Sequence, residues 1–577
     1  MYSSLVIPTE QAVQSTKRFD YSDPDKIRGG YYTPEPVASW LSRWALRSAS
    51  DRVLEPSCGN GSFIVAASQR LQKLGCPGQT VFSRISGIEL MVNEANEAER
   101  RLVKSVSGFW PANSPIVTGD FFDWAKKNSD ERFDVVMGNP PFIRYQAFPE
   151  PHRSRAMEWL TNVGLKPNRL TNIWVPFVST AVRFLREGGR MALVLPAELL
   201  QVGYAAQLRQ YLSAHFRSIE IVTCNELFFE KAEQEVILLL ADGARPHTNN
   251  GSTKIRLVES RELSSLIATS PQTIFSDVEE KTIHHDEEKW LKCFLSNREI
   301  GLMRALRKSK DCATLSHFAK PTVGIVTGCN DFFVLRKKQV RLLGLTKETV
   351  RLVSKSAQLQ GAMLLDEDFK RLNEEDHRVH LLNLGRRPFS SLTPEAQAYI
   401  RFGEDLGYQR GYKCSIRTPW YDVPSVWTPD AFFFRQVYDF PRIVFNHALA
   451  NCTDTIHRIK VNDGIDSAKF CSNAYTYLTA ASAEIEGRSY GGGVLELEPS
   501  EAGKLLFPSN LAAAMPISDA DRLIRKGRLE DVLEYNSKSV LQDEIGLSSQ
   551  DCIYLRDIWE RMRNRRLQRN RRKGLVR

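Results

Sequence analysis

The run Asn139-Pro140-Pro141-Phe142 combines residue types that can act on an amine. Each proline fixes its φ and lacks an N–H donor, so the loop is stiff and presents carbonyl oxygens. Such a site accepts hydrogens. The Asn139 side-chain oxygen and the Pro140 carbonyl could together bind both hydrogens of an exocyclic adenine amine. The lone pair of that amine is otherwise delocalised into the ring, and two acceptors would favour the pyramidal, nucleophilic nitrogen of a transition state. Phe142 would give the base an apolar face. A plain proline-rich turn is the weaker alternative, because a second chemistry-bearing turn falls at the same sheet edge.

That second turn is Glu55-Pro56-Ser57-Cys58-Gly59-Asn60-Gly61, between a short apolar run and an amphipathic one. Glycines 59 and 61 allow the backbone to pass close to a ligand where strands end. Ile64 stands where a dinucleotide fingerprint needs its third glycine, and no Gly-x-x-x-x-Gly-Lys-Ser/Thr loop exists, so phosphate cradling is not indicated. On this turn alone, a ligand site and an empty tight turn are equally good readings. The next two expected strands each end in an acid, Glu89 and Asp120. In a doubly wound sheet the first could accept from ribose hydroxyls and the second could reach a base, which is the layout for a nucleoside-bearing cofactor.

The elements that must position these residues are set by periodicity. Short apolar runs at 52–55, 86–90, 116–118, 133–137, 190–195, 218–223 and 235–241 alternate with amphipathic stretches at 35–46, 62–74, 93–106, 173–185 and 204–215. This pattern predicts an α/β, doubly wound, mostly parallel seven-stranded sheet with crossover helices. The last two strands come one after the other without a helix, so an antiparallel hairpin is expected to end the sheet. A breaker-rich run at 242–253 places the domain boundary at 245/246, with a mixed α+β second domain over 246–577.

The order of Tyr32-Thr33-Pro34, Glu55 to Gly61, Glu89, Asp120 and Asn139-Pro140-Pro141-Phe142 resembles the gamma class of N6-adenine DNA methyltransferases, the TaqI-like family. The resemblance implies a Rossmann-like catalytic domain over 1–245 that binds S-adenosyl-L-methionine. By it Thr33 and Pro34 close over the cofactor, Glu55, Pro56, Gly59 and Gly61 line its methionine part, and Asn139 also borders it. Glu89 holds the ribose, and Asp120 with Phe121 holds the adenine. Asn139, Pro140 and Phe142 form the target-base site, with phenylalanine where many relatives have tyrosine, and Phe228 stacks on the flipped base. Segments 323–335 and 415–421 look like parts of the family's DNA-recognition domain. Around the latter, Arg410, Lys413, Arg417, Trp420, Tyr421 and Arg435 suit phosphates, base edges and stacking in double-stranded DNA. About half of the aromatics between 408 and 447 are expected in the core instead.

The whole chain of 577 residues is 42% hydrophobic and 25% charged, which excludes disorder and fibrous architectures. Its formal charge of +10 is concentrated at the end: 559–577 holds nine basic residues and one acid, leaving +2 for everything else. Such a block reads either as a solvated helix end or as a phosphate-binding tail. No apolar run approaches the length of a membrane span and no signal pattern opens the chain, so a cytoplasmic protein without a membrane partner is expected. The ten cysteines form no Cys-x-x-Cys and the histidines no ligand spacing, so no metal is expected. A Pro-Cys dipeptide, needed for cytosine C5 chemistry, is missing. The expected activity is therefore site-specific adenine N6 methylation of DNA in a restriction-modification or related defence system. The expected enzyme is a monomer, with any cutting done by a separate endonuclease or defence-system partner. The rival readings are a methyltransferase of the same fold acting on RNA or on cytosine N4, and a non-catalytic DNA-binding specificity protein.

Overall fold

A computed structural model of the chain describes residues 32–106, 111, 113–224, 235–246, 253–285, 288–489 and 492–574, with side chains as far as 568. The chain divides into two compact units between Cys293 and Phe294. In the first unit the strands are β1 (Val53–Glu55), β2 (Ile85–Glu89), β3 (Ile116–Thr118), β4 (Phe133–Gly138), β5 (Leu185–Pro196), β6 (Phe216–Cys224), β7 (Val236–Ala244) and β8 (Lys254–Ser260). They form one sheet in the order β3-β2-β1-β4-β5-β7-β6-β8. Strand β7 runs antiparallel to both β5 and β6, and the remaining neighbours are parallel.

The expected α/β fold is present, and the five expected helices lie at Glu35–Ala45, Ser62–Lys73, Val92–Ser105, Trp174–Val182 and Ala206–His215. Their faces explain them. Val37, Trp40, Leu41 and Trp44 recur at helical spacing and are all buried, whereas Val236 to Ala241 in β7 form a continuous apolar run buried throughout. The expected antiparallel hairpin is formed by β6 and β7, with β7 between β5 and β6. The strand count is corrected: the sheet has eight strands rather than seven, and β8 lies beyond the hairpin at that edge. The eighth strand, β8, pairs with β6 from Ser218↔Lys254 to Cys224↔Ser260, so the breaker-rich run joins two strands of one sheet. Beyond β8, Leu266 and Phe275 enter the same core, and Trp40 Nε1 donates to the Thr269 carbonyl at 2.9 Å. The division thus falls at 293/294 and not at 245/246.

The second unit contains a four-stranded antiparallel sheet in which Ile456–Val461 and Ala431–Phe434 are central. A second four-stranded sheet includes Thr349–Val353 and Arg378–Leu382. The long helix Ser549–Gly574 ends the described chain. Among the described residues, no helix is long and apolar enough to cross a membrane.

Candidate active site

Because β1 to β4 are parallel, their carboxyl ends share one edge of the sheet. The chain moves outward from β1 through β2 to β3 and then returns to β4 on the other side of β1, and this reversal opens a crevice between β1 and β4. The turn after β1 lies there. Cys58 donates from its amide to the Ile88 carbonyl at 2.9 Å, and the Gly61 amide donates to the Cys58 carbonyl at 2.8 Å. Gly61 has φ +84°, and a Cβ there would stand 2.8 Å from Cα of Ala98 on the neighbouring helix. Its small size therefore serves helix packing as well as the turn.

Glu89, at the end of β2, steadies this turn. One carboxylate oxygen accepts the Gly59 amide at 2.8 Å and the other accepts the Met91 amide at 2.9 Å. Each oxygen keeps a lone pair for a further donor. Burial raises the Glu89 carboxyl above its ordinary pKa. Glu55 lies deeper, 2% exposed, and its Oε2 has no hydrogen-bond partner among the described residues. Gly138, at φ +150°, makes this closeness feasible, since a Cβ there would stand 3.2 Å from the Glu55 Cγ. Desolvation first, and the nearby Glu89 charge second, push the Glu55 carboxyl well above its ordinary range.

Stability therefore depends on pH through Glu55. The fold holds a proton on Glu55 that the unfolded chain releases, so this stabilisation is complete below the ordinary carboxylate pKa and is lost as pH rises through the folded value. Glu55→Gln is expected to flatten the fall of the denaturation midpoint as pH rises above the ordinary carboxylate range. An unchanged slope in urea titrations followed by tryptophan fluorescence would show that Glu55 ionises without penalty.

Asp120 comes after β3 and caps the helix Phe121–Lys127. Phe121 is 3% exposed and stacks at 5.3 Å on Phe177, in a cluster with Phe122, Trp124 and Phe184. Thr33 is buried, its hydroxyl has no partner among the described residues, and Pro34 immediately precedes the first described helix. Asn139 comes directly after β4, with its side-chain oxygen closed off from solvent and Pro140 buried behind it. A cavity of about 10 Å³, room for a single water, is bounded by Pro56, Ser57, Gly138, Asn139 and Pro140. The two turns singled out by composition are thereby brought together across the crevice. Phe142 is half-buried against the core. Phe228 lies outside the described residues.

Two neighbours of these residues were not anticipated. His152 begins a helix, His152–Asn162, and its ring nitrogen meets the Asp120 carboxylate. Asn172 is buried beside the segment that follows Phe142, where Arg144 bridges to it and the Ile173 amide donates to the Ile143 carbonyl at 2.9 Å. Neither residue sits at a strand end or in a glycine turn, the two local signals that mark the other members of the site.

The N-6 DNA Methylase family profile matches residues 20–298, spanning every residue of the crevice. Over these residues the chain is an N-6 DNA methylase. It is a DNA adenine N6-methyltransferase, and a second profile, the C-terminal domain of Type II methyltransferase M.Eco57I, matches 287–541. The methylase is 23% identical over 533 residues to Type II methyltransferase M.AccI of Acinetobacter calcoaceticus, covering 87% of this chain and 90% of the relative. It is also 23% identical over 319 residues to Type II methyltransferase M.BstVI of Geobacillus stearothermophilus, covering 50% of this chain and 56% of the relative. Its fold is similar to that of the Type IIL restriction-modification enzyme MmeI in complex with DNA, with TM-score 0.54 and 13% identity over 89% of this chain and 73% of the other.

In the second unit of the methylase, segments 323–335 and 415–421 lie against each other. Arg417 donates to the carbonyls of Thr327 at 2.6 Å and Val326 at 2.8 Å. The Trp420 ring packs 4.9 Å from Phe332 while its Nε1 donates to Glu404 at 2.9 Å. These bonds hold a short ledge on which Arg410 and Lys413 are exposed. Two expected DNA contacts are corrected. Tyr421 is 4% exposed and donates its hydroxyl to the Arg387 carbonyl at 2.9 Å, so its ring belongs to the core. Arg435 is neutralised between Glu496 and Glu498, both at 2.7 Å. Phe432, Phe433 and Phe434 are buried in a strand.

The basic block at 559–577, read as either a solvated helix end or a phosphate-binding tail, is in its first part neither. Leu555, Ile558 and Trp559 bury one face of the last helix. Arg561 pairs with Glu299 at 2.8 Å, Arg563 with Asp439 at 2.8 Å, and Arg565 lies 3.7 Å from the Phe294 ring centroid. Arg566 is 2% exposed and pairs with buried Glu484. Apolar burial and these pairs make this stretch structural. From Arg569 onward the cations lie outside the described side chains.

Proposed function

We propose that the enzyme is a gamma-class, site-specific methyltransferase that uses S-adenosyl-L-methionine and flips its target adenine out of double-stranded DNA. The observation that carries this is the placement of Asn139 and Pro140 across the β1/β4 crevice from the glycine turn. The residues present fit the cofactor. Buried Thr33 Oγ1 and Glu55 Oε2 have no partner among the described residues, and the turn beside them is glycine-lined. Thr33 and Pro34 would close over it, Glu55, Pro56, Gly59 and Gly61 would border its methionine part, Glu89 the ribose, and Asp120 with Phe121 the adenine. When bound, S-adenosyl-L-methionine supplies an electrophilic methyl group on a sulfonium.

Asn139 and Pro140 accept the two hydrogens of the target amine, localising its lone pair for in-line attack with inversion. The half-buried Phe142 ring supports the base. Flipping is needed because the N6 atom cannot meet an in-line donor inside the duplex. The second unit carries target recognition, with the exposed Arg410 and Lys413 at the DNA and Arg417 and Trp420 shaping the ledge behind them. The enzyme acts as a monomer in the cytoplasm within a restriction-modification or related defence system, and any DNA cutting is done by another chain. An RNA or cytosine-N4 substrate is disfavoured by the N-6 DNA methylase profile.

Expression in a methylation-free host, with sequencing of the genomic DNA for modified bases, is expected to find N6-methyladenine in one short sequence. Modified cytosine, or no transfer of labelled methyl from S-adenosyl-L-methionine to DNA by the purified protein, would overturn the proposal.

A further inference from the structure

Asp120 is held more firmly than its place at a strand end requires. Its Oδ1 accepts the amides of Phe122 at 2.7 Å and Asp123 at 3.1 Å, and its Oδ2 accepts from His152 Nδ1 at 2.5 Å. The helix that His152 begins is fastened to the Asp120-capped helix at two further points. Arg155 pairs with Asp123 at 2.7 Å, and Trp159 Nε1 donates to the Phe122 carbonyl at 3.0 Å. The Asp120 side chain is 6% exposed and that of His152 22%.

A carboxylate offers about four acceptor positions. Those of Oδ1 are used by the two amides, and one of Oδ2 is used by His152, which leaves one on Oδ2. We propose that His152 is a positioning residue for cofactor selection: it locks Asp120 so that its remaining acceptor meets an exocyclic amine and rejects a base carrying a carbonyl at that position. The inference rests on the assignment of Asp120 to the cofactor's adenine. A carbonyl there would set two acceptors against each other with no hydrogen between them, and a carboxylate held at three points has no freedom to turn away. Without His152 the Oδ2 oxygen is released on one side and discrimination falls.

Calorimetry on the full chain with S-adenosylhomocysteine and its 6-deaminated counterpart, S-inosylhomocysteine, separates the outcomes. The wild type is expected to prefer the amine-bearing ligand by about 10-fold, roughly one well-formed hydrogen bond. His152→Ala is expected to reduce that preference to about 2-fold, chiefly by weakening S-adenosylhomocysteine, and His152→Asn, which keeps an N–H near the Nδ1 position, to restore most of it. Equal weakening of both ligands by His152→Ala would reduce His152 to fastening two helices, and tighter S-adenosylhomocysteine binding would make it a competitor; either result overturns the inference. A wild type that binds neither ligand would instead strike at the cofactor assignment itself.

Discussion

Asn139→Ala is expected to lower methyl transfer by about 10²–10³-fold while leaving specific DNA binding within a few-fold of wild type. The asparagine lies immediately after β4, next to Gly138, whose missing Cβ leaves room for Glu55, and its oxygen is closed off from solvent. An acceptor held in that way does little for the planar amine of the ground state. It acts on the hydrogens of a pyramidal nitrogen, so its loss should appear in kcat and not in DNA affinity. Asn139→Asp, which keeps an acceptor oxygen, is expected to retain more activity than alanine. Single-turnover transfer of labelled methyl, with DNA binding measured in parallel, provides the check; alanine activity within about five-fold of wild type would remove Asn139 from the chemistry.

The second large effect is on stability. Arg566→Leu is expected to destabilise the second unit by about 3–5 kcal/mol, because it leaves the carboxylate of Glu484 buried without its partner. Arg566 also donates to the carbonyls of Gly493 at 2.6 Å and Val437 at 3.3 Å, so these acceptors are orphaned together. Burial already raises the Glu484 pKa against the opposing pull of Arg566. A second substitution, Glu484→Gln, should therefore recover a large share of the loss, since it removes the stranded charge. Urea denaturation of the two variants tests this. A shift below about 1 kcal/mol for Arg566→Leu would mean that the pair is solvated and that the basic stretch is free for phosphates after all.

The catalytic unit was legible in the sequence because its signals are local. Short apolar runs mark buried parallel strands, and the residues just past each run share one edge once the strands are parallel. Thus Glu55, Glu89, Asp120 and Asn139 were singled out from their positions at strand ends. The domain boundary was misplaced because a breaker-rich run shows that the chain turns and not whether the next strand rejoins the sheet, as β8 does. The helix at His152–Asn162 escaped because its apolar face is sparse, with Ala156 and Leu160 as its buried residues.

The sequence by itself determined the chemistry on offer: an amide and a carbonyl in a proline-stiffened loop, acids at strand ends, and a glycine turn, each set by neighbours along the chain. Only the tertiary structure decided which charged and aromatic groups remain available. Arg435, Tyr421 and the cations of the last helix look alike in composition to DNA contacts, yet their partners lie far away in the chain, as Glu299 and Asp439 do from Arg561 and Arg563. Local pattern depends on a few adjacent dihedral angles, whereas the fate of a charge depends on which distant segment folding brings beside it.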